Sequence, residues 1–196
     1  MKLEKSVLPI FLLSLVLASL ACNVFVGGPD YSTLPTIPAS TEAAQSIQDE
    51  IQRAFEEGAQ TGTITLNITE PQITSFVAAR LQSDPDLQQE SQPLITEPQV
   101  YLQNGQMQIY GKTKQGMFTA NIGIIVNVGV DENGQPKVEI VSADFGPLPA
   151  PEGIKDTISA MVREAYMGSL GPIATGLRIE TINIANGIMT VSGRIR

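Results

Sequence analysis

The chain has 196 residues, with 12 Lys and Arg against 20 Asp and Glu, and so a formal net charge of −8. It contains no histidine and a single cysteine, which excludes histidine-based nucleophilic catalysis, histidine-ligated metal sites and internal disulfides. The acidic balance argues against nucleic-acid binding, because such proteins need Lys and Arg to displace counterions from phosphate. We therefore expect a protein without catalytic residues, cofactor, bound metal or nucleic-acid partner.

The N-terminus has the pattern of an export signal. Lys2 and Lys5 precede an uncharged, mostly apolar run over residues 7–21, which is typical of a secretory signal. The run ends at Ala21-Cys22, which resembles the lipobox of bacterial lipoproteins. The resemblance implies a signal peptide over 1–21, lipid attachment at Cys22 and a location at the extracytoplasmic face of the cell membrane. The alternative is an uncleaved transmembrane anchor, because residues 6–26 carry no charge and match the ~20 residues that cross a bilayer.

The next segment has the composition of a linker. Residues 22–41 contain Gly27-Gly28-Pro29, Pro35 and Pro38 and show no sustained hydrophobic periodicity. This composition predicts a lipid-anchored flexible linker that holds the domain away from the membrane. A single domain is then expected over 42–196.

Helices and strands follow in a mixed order. Apolar residues at helical spacing from Ala44 to Phe55 predict a helix that stops at Gly58, and residues 61–66 alternate as a short strand. Thr69 and Gln72 form a capping-box pattern for a second helix, and residues 83–90 are expected to be a loop. A third amphipathic helix is predicted from Ile154 to Ala165.

Period-two patterns predict the strands. Two hairpins with Asn-Gly turns are expected at Asn104-Gly105 and Asn186-Gly187, and between them two longer strands cover residues 117–130 and 137–145. The first hairpin, residues 100–112, aligns without gaps with residues 182–194, and each follows a predicted helix. Either the chain contains a duplicated helix-hairpin unit, or any two Asn-Gly hairpins look this similar.

The elements together predict an α+β fold. A curved antiparallel sheet of about six or seven strands would wrap around two or three amphipathic helices. An apolar groove could then lie between the helices and the sheet, although the same residues could equally seal a core. The candidate groove residues are Ile73, Phe76, Val77, Ile158, Met161 and Val162.

Two stretches carry a family resemblance. Residues 66–73 (LNITEPQI) open a helix, and residues 144–151 (DFGPLPAP) lead into another. With the hairpin over 100–111, they resemble the extracytoplasmic YpmS-like proteins of bacteria and, through them, the tubular lipid-binding (TULIP) superfamily. The resemblance covers roughly residues 60–196. It implies a helix cradled by a curved sheet, with an apolar groove for a lipid or another hydrophobic ligand and no catalytic residues.

The remaining charged and sulfur-containing residues have ordinary interpretations. Lys112 and Lys114 could meet an anionic headgroup or simply protect a strand edge. The methionines at 107, 117, 161 and 189 suit either an adaptable binding surface or the core. The acidic pairs are expected to be solvated and not catalytic: Asp49/Glu50, Glu56/Glu57, Asp84/Asp86 and Asp131/Glu132.

The sequence therefore favours one function and leaves an alternative. The favoured function is that of a membrane-anchored exported lipoprotein whose non-catalytic domain binds a lipid or other hydrophobic ligand. The alternative is a structural or assembly module of the cell envelope that docks another protein through a sheet edge or a helix face. The membrane, reached through the N-terminal acyl anchor, is the expected partner in either case.

Overall fold

A computed structural model describes residues 24–83, 88–89, 92–93, 95–150 and 177–195. Within these ranges the helices are α1 (Thr41–Thr61) and α2 (Glu70–Ser83). The strands are β1 (Val24–Phe25), β2 (Thr63–Thr69), β3 (Gln88–Gln89), β4 (Gln92–Pro93), β5 (Thr96–Gln103), β6 (Gln106–Gln115), β7 (Phe118–Val130), β8 (Pro136–Asp144), β9 (Leu177–Ala185) and β10 (Ile188–Ile195). The signal peptide, Cys22 and the third predicted helix, with Ile158, Met161 and Val162, lie outside the described residues.

Helix α1 is longer than the sequence predicts. Ser40 caps its start, because the Ser40 Oγ accepts a hydrogen bond from the Ala43 N–H at 3.0 Å. The helix ends at Gly62, whose φ of 76° is the left-handed conformation that glycine tolerates best. The predicted stop at Gly58 is wrong. This glycine lies inside the helix, and a Cβ there would come within 2.5 Å of the Ile64 side chain, so Gly58 permits close packing of α1 on β2.

Helix α2 begins where the capping-box pattern predicts. The side-chain oxygen of Gln72 accepts a hydrogen bond from the Thr69 N–H at 2.8 Å. The Thr69 hydroxyl also donates to the Gln72 side chain, at 2.9 Å, so the two side chains bond each other. A capping box has two hydrogen bonds, and the one that forms here runs from the backbone N–H of the cap residue Thr69 to the Gln72 side chain.

The strands form an α+β fold with a strongly curled, half-barrel sheet arrangement. One sheet has the order β5-β6-β7, and β7 pairs on its other side with both β8 and β1. The second sheet has the order β2-β10-β9, and β3 pairs only with β4. The eight strands of the two larger sheets exceed the predicted six or seven. The additional strand is β1, which pairs in parallel with β7 and lies in the segment predicted to be a linker.

The two Asn-Gly hairpins have the same register. Both turns are left-handed at both positions, with φ of 54° and 75° at Asn104-Gly105 and 53° and 75° at Asn186-Gly187. The partners Thr96↔Lys112 and Arg178↔Arg194 occupy equivalent positions, 82 residues apart, and each hairpin has a one-residue bulge on its first strand. The hairpin half of the proposed repeat therefore recurs in the structure, whereas the helix of the second unit lies outside the described residues.

One hydrophobic core joins both helices and both sheets. Each of these elements contributes buried apolar side chains that pack into a single cluster. The largest fully buried members from the strands include Leu102, Met107, Ile122, Ile124 and Met189.

The outer edge of β5 is covered by α2 and by the second hairpin. The buried Thr74 hydroxyl accepts a hydrogen bond from the Val100 N–H at 3.0 Å and donates to the Val100 carbonyl at 3.4 Å. One turn earlier, a Glu70 carboxylate oxygen accepts from the Leu102 N–H at 2.8 Å. The Leu102 carbonyl accepts from the Gly187 N–H at 3.2 Å. A strand edge that would otherwise be unpaired and buried is thereby satisfied.

The segment predicted to be a flexible linker lies against the first sheet. After β1, the Val26 N–H donates to the Thr119 carbonyl at 2.9 Å, and the Asn121 N–H donates to the Gly27 carbonyl at 2.8 Å. The flexible-linker prediction over 22–41 therefore does not hold for its described part. The segment crosses the first sheet from Gly28, beside Asn121 of β7, to Pro35, at Tyr101 of β5, and such a path needs no hydrophobic periodicity.

The later part of this segment is held by side chains of β5. The Gln99 amide accepts a hydrogen bond from the Ile37 N–H at 2.7 Å and donates to the Ile37 carbonyl at 3.1 Å, as a neighbouring strand would. The buried Tyr101 donates its hydroxyl to the Pro35 carbonyl at 3.1 Å. The chain thus reaches α1 already packed on the domain.

We expect Thr74→Val to lower the free energy of unfolding by about 1–3 kcal/mol, because the Val100 N–H and carbonyl would stay buried without a partner. Urea unfolding followed by circular dichroism measures this change. The matched control is Thr65→Val, the same substitution at an exposed position of β2, for which we expect little change. Equal stability of the two variants would contradict the role assigned to Thr74.

Candidate functional site

The groove residues predicted on α2 contribute to the core. Ile73 and Val77 are buried, and the half-buried Phe76 packs against the same cluster. These three side chains therefore pack between α2 and the sheets, and their role in a groove stays a prediction. The other three predicted groove residues, Ile158, Met161 and Val162, lie outside the described residues.

A small apolar cavity lies under α1. Its volume is about 10 Å³, close to that of a single water molecule. Sites for drug-sized ligands begin at roughly 300 Å³, so this cavity cannot hold an acyl chain. Its lining residues come from α1 and the second sheet: Ile51, Ala54, Phe55, Ile64, Leu66, Ile179, Val191 and Gly193.

A larger cleft of about 630 Å³ opens between the β7–β8 turn and the β9–β10 ladder. Its charged groups have both signs, with Arg178 and Arg194 near Asp131, Glu132 and Glu180. The Arg194 Nε lies 3.0 Å from the Glu180 Oε1, and both side chains are well exposed, so solvent screens this pair. The cleft offers mixed, solvated charge and no defined ligand chemistry.

Asp131 organises the β7–β8 turn. Its carboxylate accepts hydrogen bonds from the Gln135 N–H at 2.7 Å and the Asn133 N–H at 2.9 Å. These bonds, above all the one from Gln135, hold the pKa of Asp131 below its usual value. The turn geometry accounts for this carboxylate without a bound cation.

The acidic residues predicted in the other pairs are solvated side chains where they are described. Asp49, Glu56 and Glu57 lie on the solvent side of α1, and Glu50 pairs with Arg53 at 2.7 Å. Asp84 and Asp86 lie outside the described residues. Within the described ranges, no group of three or more Cys, Asp or Glu side chains is arranged to hold a metal ion.

Lys112 and Lys114, which both lie near the end of β6, differ in their environment. The Lys112 ammonium lies 2.6 Å from the Glu97 carboxylate, and this hydrogen bond raises the pKa of Lys112. The Lys114 side chain has no hydrogen bond or ion pair with another described residue, and it is exposed close to the β6–β7 turn.

Exposed apolar side chains collect beside this turn. Met107 and Met189 are core residues, whereas Met117 is exposed at the turn, next to Phe118. Strand β1 pairs with the start of β7, with Val24 opposite Phe118 and the Val24 N–H donating to the Met117 carbonyl at 2.8 Å. We call Val24, Phe25, Met117 and Phe118 the apolar end. Their exposed fractions lie between 43% and 58%.

Three tyrosines join the N-terminal segment to the outer face of the first sheet. Tyr31 stacks on Tyr110 with ring centroids 5.1 Å apart, and Tyr101 lies 5.9 Å from the same ring. Burial raises the pKa of both Tyr31 and Tyr101. Sequence patterns do not predict the stacking of Tyr31 on Tyr110, because the two residues lie 79 positions apart. The one tyrosine within residues 22–41 was the signal available for this contact.

Comparison with known proteins assigns neither a family nor a function to the chain. No protein-family model matches the sequence, and no curated protein matches it. In the part of the chain that the structure describes, neither helix is long and apolar enough to cross a bilayer.

We expect stability to fall as the pH rises above about 10. Tyr31 and Tyr101 have a raised pKa in the folded state, so the folded protein binds protons more tightly than the unfolded chain does near pH 10. The contribution of these two tyrosines to the free energy of unfolding is complete below their pKa in the unfolded chain. It is lost as the pH rises through their higher pKa in the folded protein.

Urea midpoints measured from pH 8 upward test this expectation. The variant Tyr101→Phe should start less stable at pH 8, because it loses the hydrogen bond to Pro35, but should lose less stability between pH 9 and about 11. If the urea midpoint of Tyr101→Phe fell with pH as steeply as that of the wild type, Tyr101 would not contribute to the pH dependence of stability.

Proposed function

We propose that the protein is an exported lipoprotein, attached through acylated Cys22 to the extracytoplasmic face of the cell membrane. Its domain binds a lipid or another hydrophobic ligand and catalyses no reaction. The signal pattern over 1–21 and the lipobox resemblance support the anchor. Two acyl chains would hold the protein stably, whereas one chain alone binds only marginally.

The ligand would lie between the first sheet and the third predicted helix. Helices α1 and α2 cover β2 and β5, and the cavity under α1 is too small for a ligand. The inner face of β6 and β7 carries Met107, Ile109, Ile122 and Ile124. In this proposal the curled sheet wraps around the helices, and Ile158, Met161 and Val162 are the groove residues that the third predicted helix contributes.

Thr113 is the observation that carries the ligand proposal. Its side chain follows Met107 and Ile109 on the inner face of β6 and is almost fully buried. Among the residues that the structure describes, its hydroxyl has no hydrogen-bond partner. A buried hydroxyl without a partner costs free energy. A polar group of a bound lipid, such as an ester carbonyl, would satisfy it.

A second candidate function is supported by β8. In the described chain, β8 pairs with β7 along one edge only, and Val141 on this strand is exposed. A free edge can accept a strand from another protein. The domain would then act as an assembly module of the envelope, in which the groove residues only seal the core.

Native mass spectrometry of the intact protein, released from membranes in detergent, separates the two functions. We expect a non-covalent lipid-sized adduct on the wild-type chain, and its loss in Val162→Lys, because a charge in the groove opposes binding of an apolar ligand. Val141→Lys, the same change on exposed β8, should keep the adduct. A ligand-free homo-oligomer would contradict ligand binding and favour assembly.

The anchor is tested by metabolic labelling with radioactive palmitate. We expect label on the wild-type protein and none on Cys22→Ala, because Cys22 is the only thiol in the chain. Equal labelling of the two would refute the lipoprotein assignment. An unlabelled wild-type protein that still sediments with membranes would favour the uncleaved transmembrane anchor.

A further inference from the structure

We propose that the apolar end, formed by Val24, Phe25, Met117 and Phe118, rests on the surface of the bilayer that holds the anchor. The inference depends on the proposed membrane attachment and adds how the domain is oriented on the membrane. The lipid surface, at the level of the headgroups, is the partner of this patch.

The chain itself brings this end to the membrane. Val24 follows Cys22 by two residues, which span at most about 7 Å when fully extended. Because β1 pairs with β7, residue 24 cannot swing away from the domain as a free linker would. An uncleaved anchor leads to the same position, since the uncharged stretch of residues 6–26 runs into β1.

The side chains at this end suit a membrane surface. Four large apolar side chains lie half exposed at one end of the first sheet, with Val24 and Phe118 on one face and Phe25 on the other. Exposed apolar side chains that cluster mark an interaction site more often than scattered ones do. Met117 is at the tip of the β6–β7 turn, and Phe118 lies beside Val24. These side chains can enter the headgroup region without any change in the backbone.

The charge at this end differs from that of the whole chain. Three neighbouring segments, residues 24–28, 112–119 and 146–150, contain two lysines and no acidic residue. Lys112 is paired with Glu97 at 2.6 Å, so Lys114 is the remaining positive charge of these segments. The third segment is held here by the Gln115 side chain, which donates to the Pro149 carbonyl at 3.0 Å. Lys114, which is exposed close to this turn, can therefore reach anionic headgroups.

A depth probe on the turn tests the proposal. In the acylated full-length protein Cys22 is blocked, so Met117→Cys provides a single thiol for an NBD fluorophore. The protein is placed in vesicles of phosphatidylcholine and phosphatidylglycerol, with and without brominated acyl chains. We expect a blue-shifted emission and several-fold stronger quenching by the brominated lipids than in the control.

The control is Ile188→Cys, which is also exposed, beside the turn of the second hairpin. The turn of the second hairpin contacts Leu102, and Leu102 lies across the sheet from Met107, which in turn pairs with Val126 of β7. Val126 is eight residues along β7 from Phe118, so the control position lies roughly 26 Å from the apolar end. Circular dichroism of both labelled proteins confirms that they fold.

The outcomes separate this inference from the anchor. Protein that sediments with vesicles, with the probe at 117 quenched no more than the probe at 188, would overturn the orientation and leave the anchor intact. Protein that does not sediment with vesicles would overturn the membrane attachment and the orientation with it.

Discussion

The outer edge of β5 is the constraint on which much of the architecture depends. Val100 and Leu102 are completely buried, so their outward-facing backbone groups cannot bond to water. A further strand would be the usual partner for such an edge. Here Glu70 and Thr74, one turn apart on α2, supply side-chain oxygens at the spacing of alternate strand residues. This requirement fixes the rotation of α2 about its axis and its height on the sheet.

The same edge joins the two sheets. The Gly187 N–H donates to the Leu102 carbonyl, and the Glu70 N–H donates to the Gly187 carbonyl, both at 3.2 Å. The turn of the second hairpin therefore packs between the end of β5 and the start of α2. The left-handed turn favours glycine at residue 187, where a Cβ would also lie in tight contact, 3.3 Å from the Glu70 carboxyl carbon. The second Asn-Gly turn, whose register recurs in the first sheet, thus also connects the second sheet to β5 and α2.

The N-terminal segment bears on the relation of the domain to the proposed anchor. Composition alone favoured a flexible spacer, because glycine and proline weaken helix and strand periodicity. In the folded chain the segment covers the outer face of the first sheet and is held by Gln99, Tyr101 and Asn121. Glycine at residue 28 allows an approach that a side chain would block, since its Cβ would overlap the Asn121 carbonyl. The segment with the composition of a spacer is thus packed on the sheet, which shortens the distance between the domain and the proposed anchor.

The sequence by itself determined the local structure well. The cap at Thr69, the two Asn-Gly turns, the long β7 strand and the common register of the hairpins all follow from short-range hydrogen bonding and side-chain periodicity, which act within a few residues. It also determined which of Ile73, Phe76 and Val77 could share one face of a helix. It could not decide whether that face lines a groove or seals a core, because both environments select apolar residues.

Tertiary structure decided the rest. The role of Gly58 depends on Ile64 across a helix–strand contact, the partner of Thr74 lies 26 residues away, and that of Gln99 lies 62 residues away. The exposure of Met117 and the burial of Met107 also differ only because one lies at a turn and the other on the inner face of β6. These outcomes depend on which distant backbone groups need a partner once the sheets have curled, and a local pattern of residues carries no information about that need.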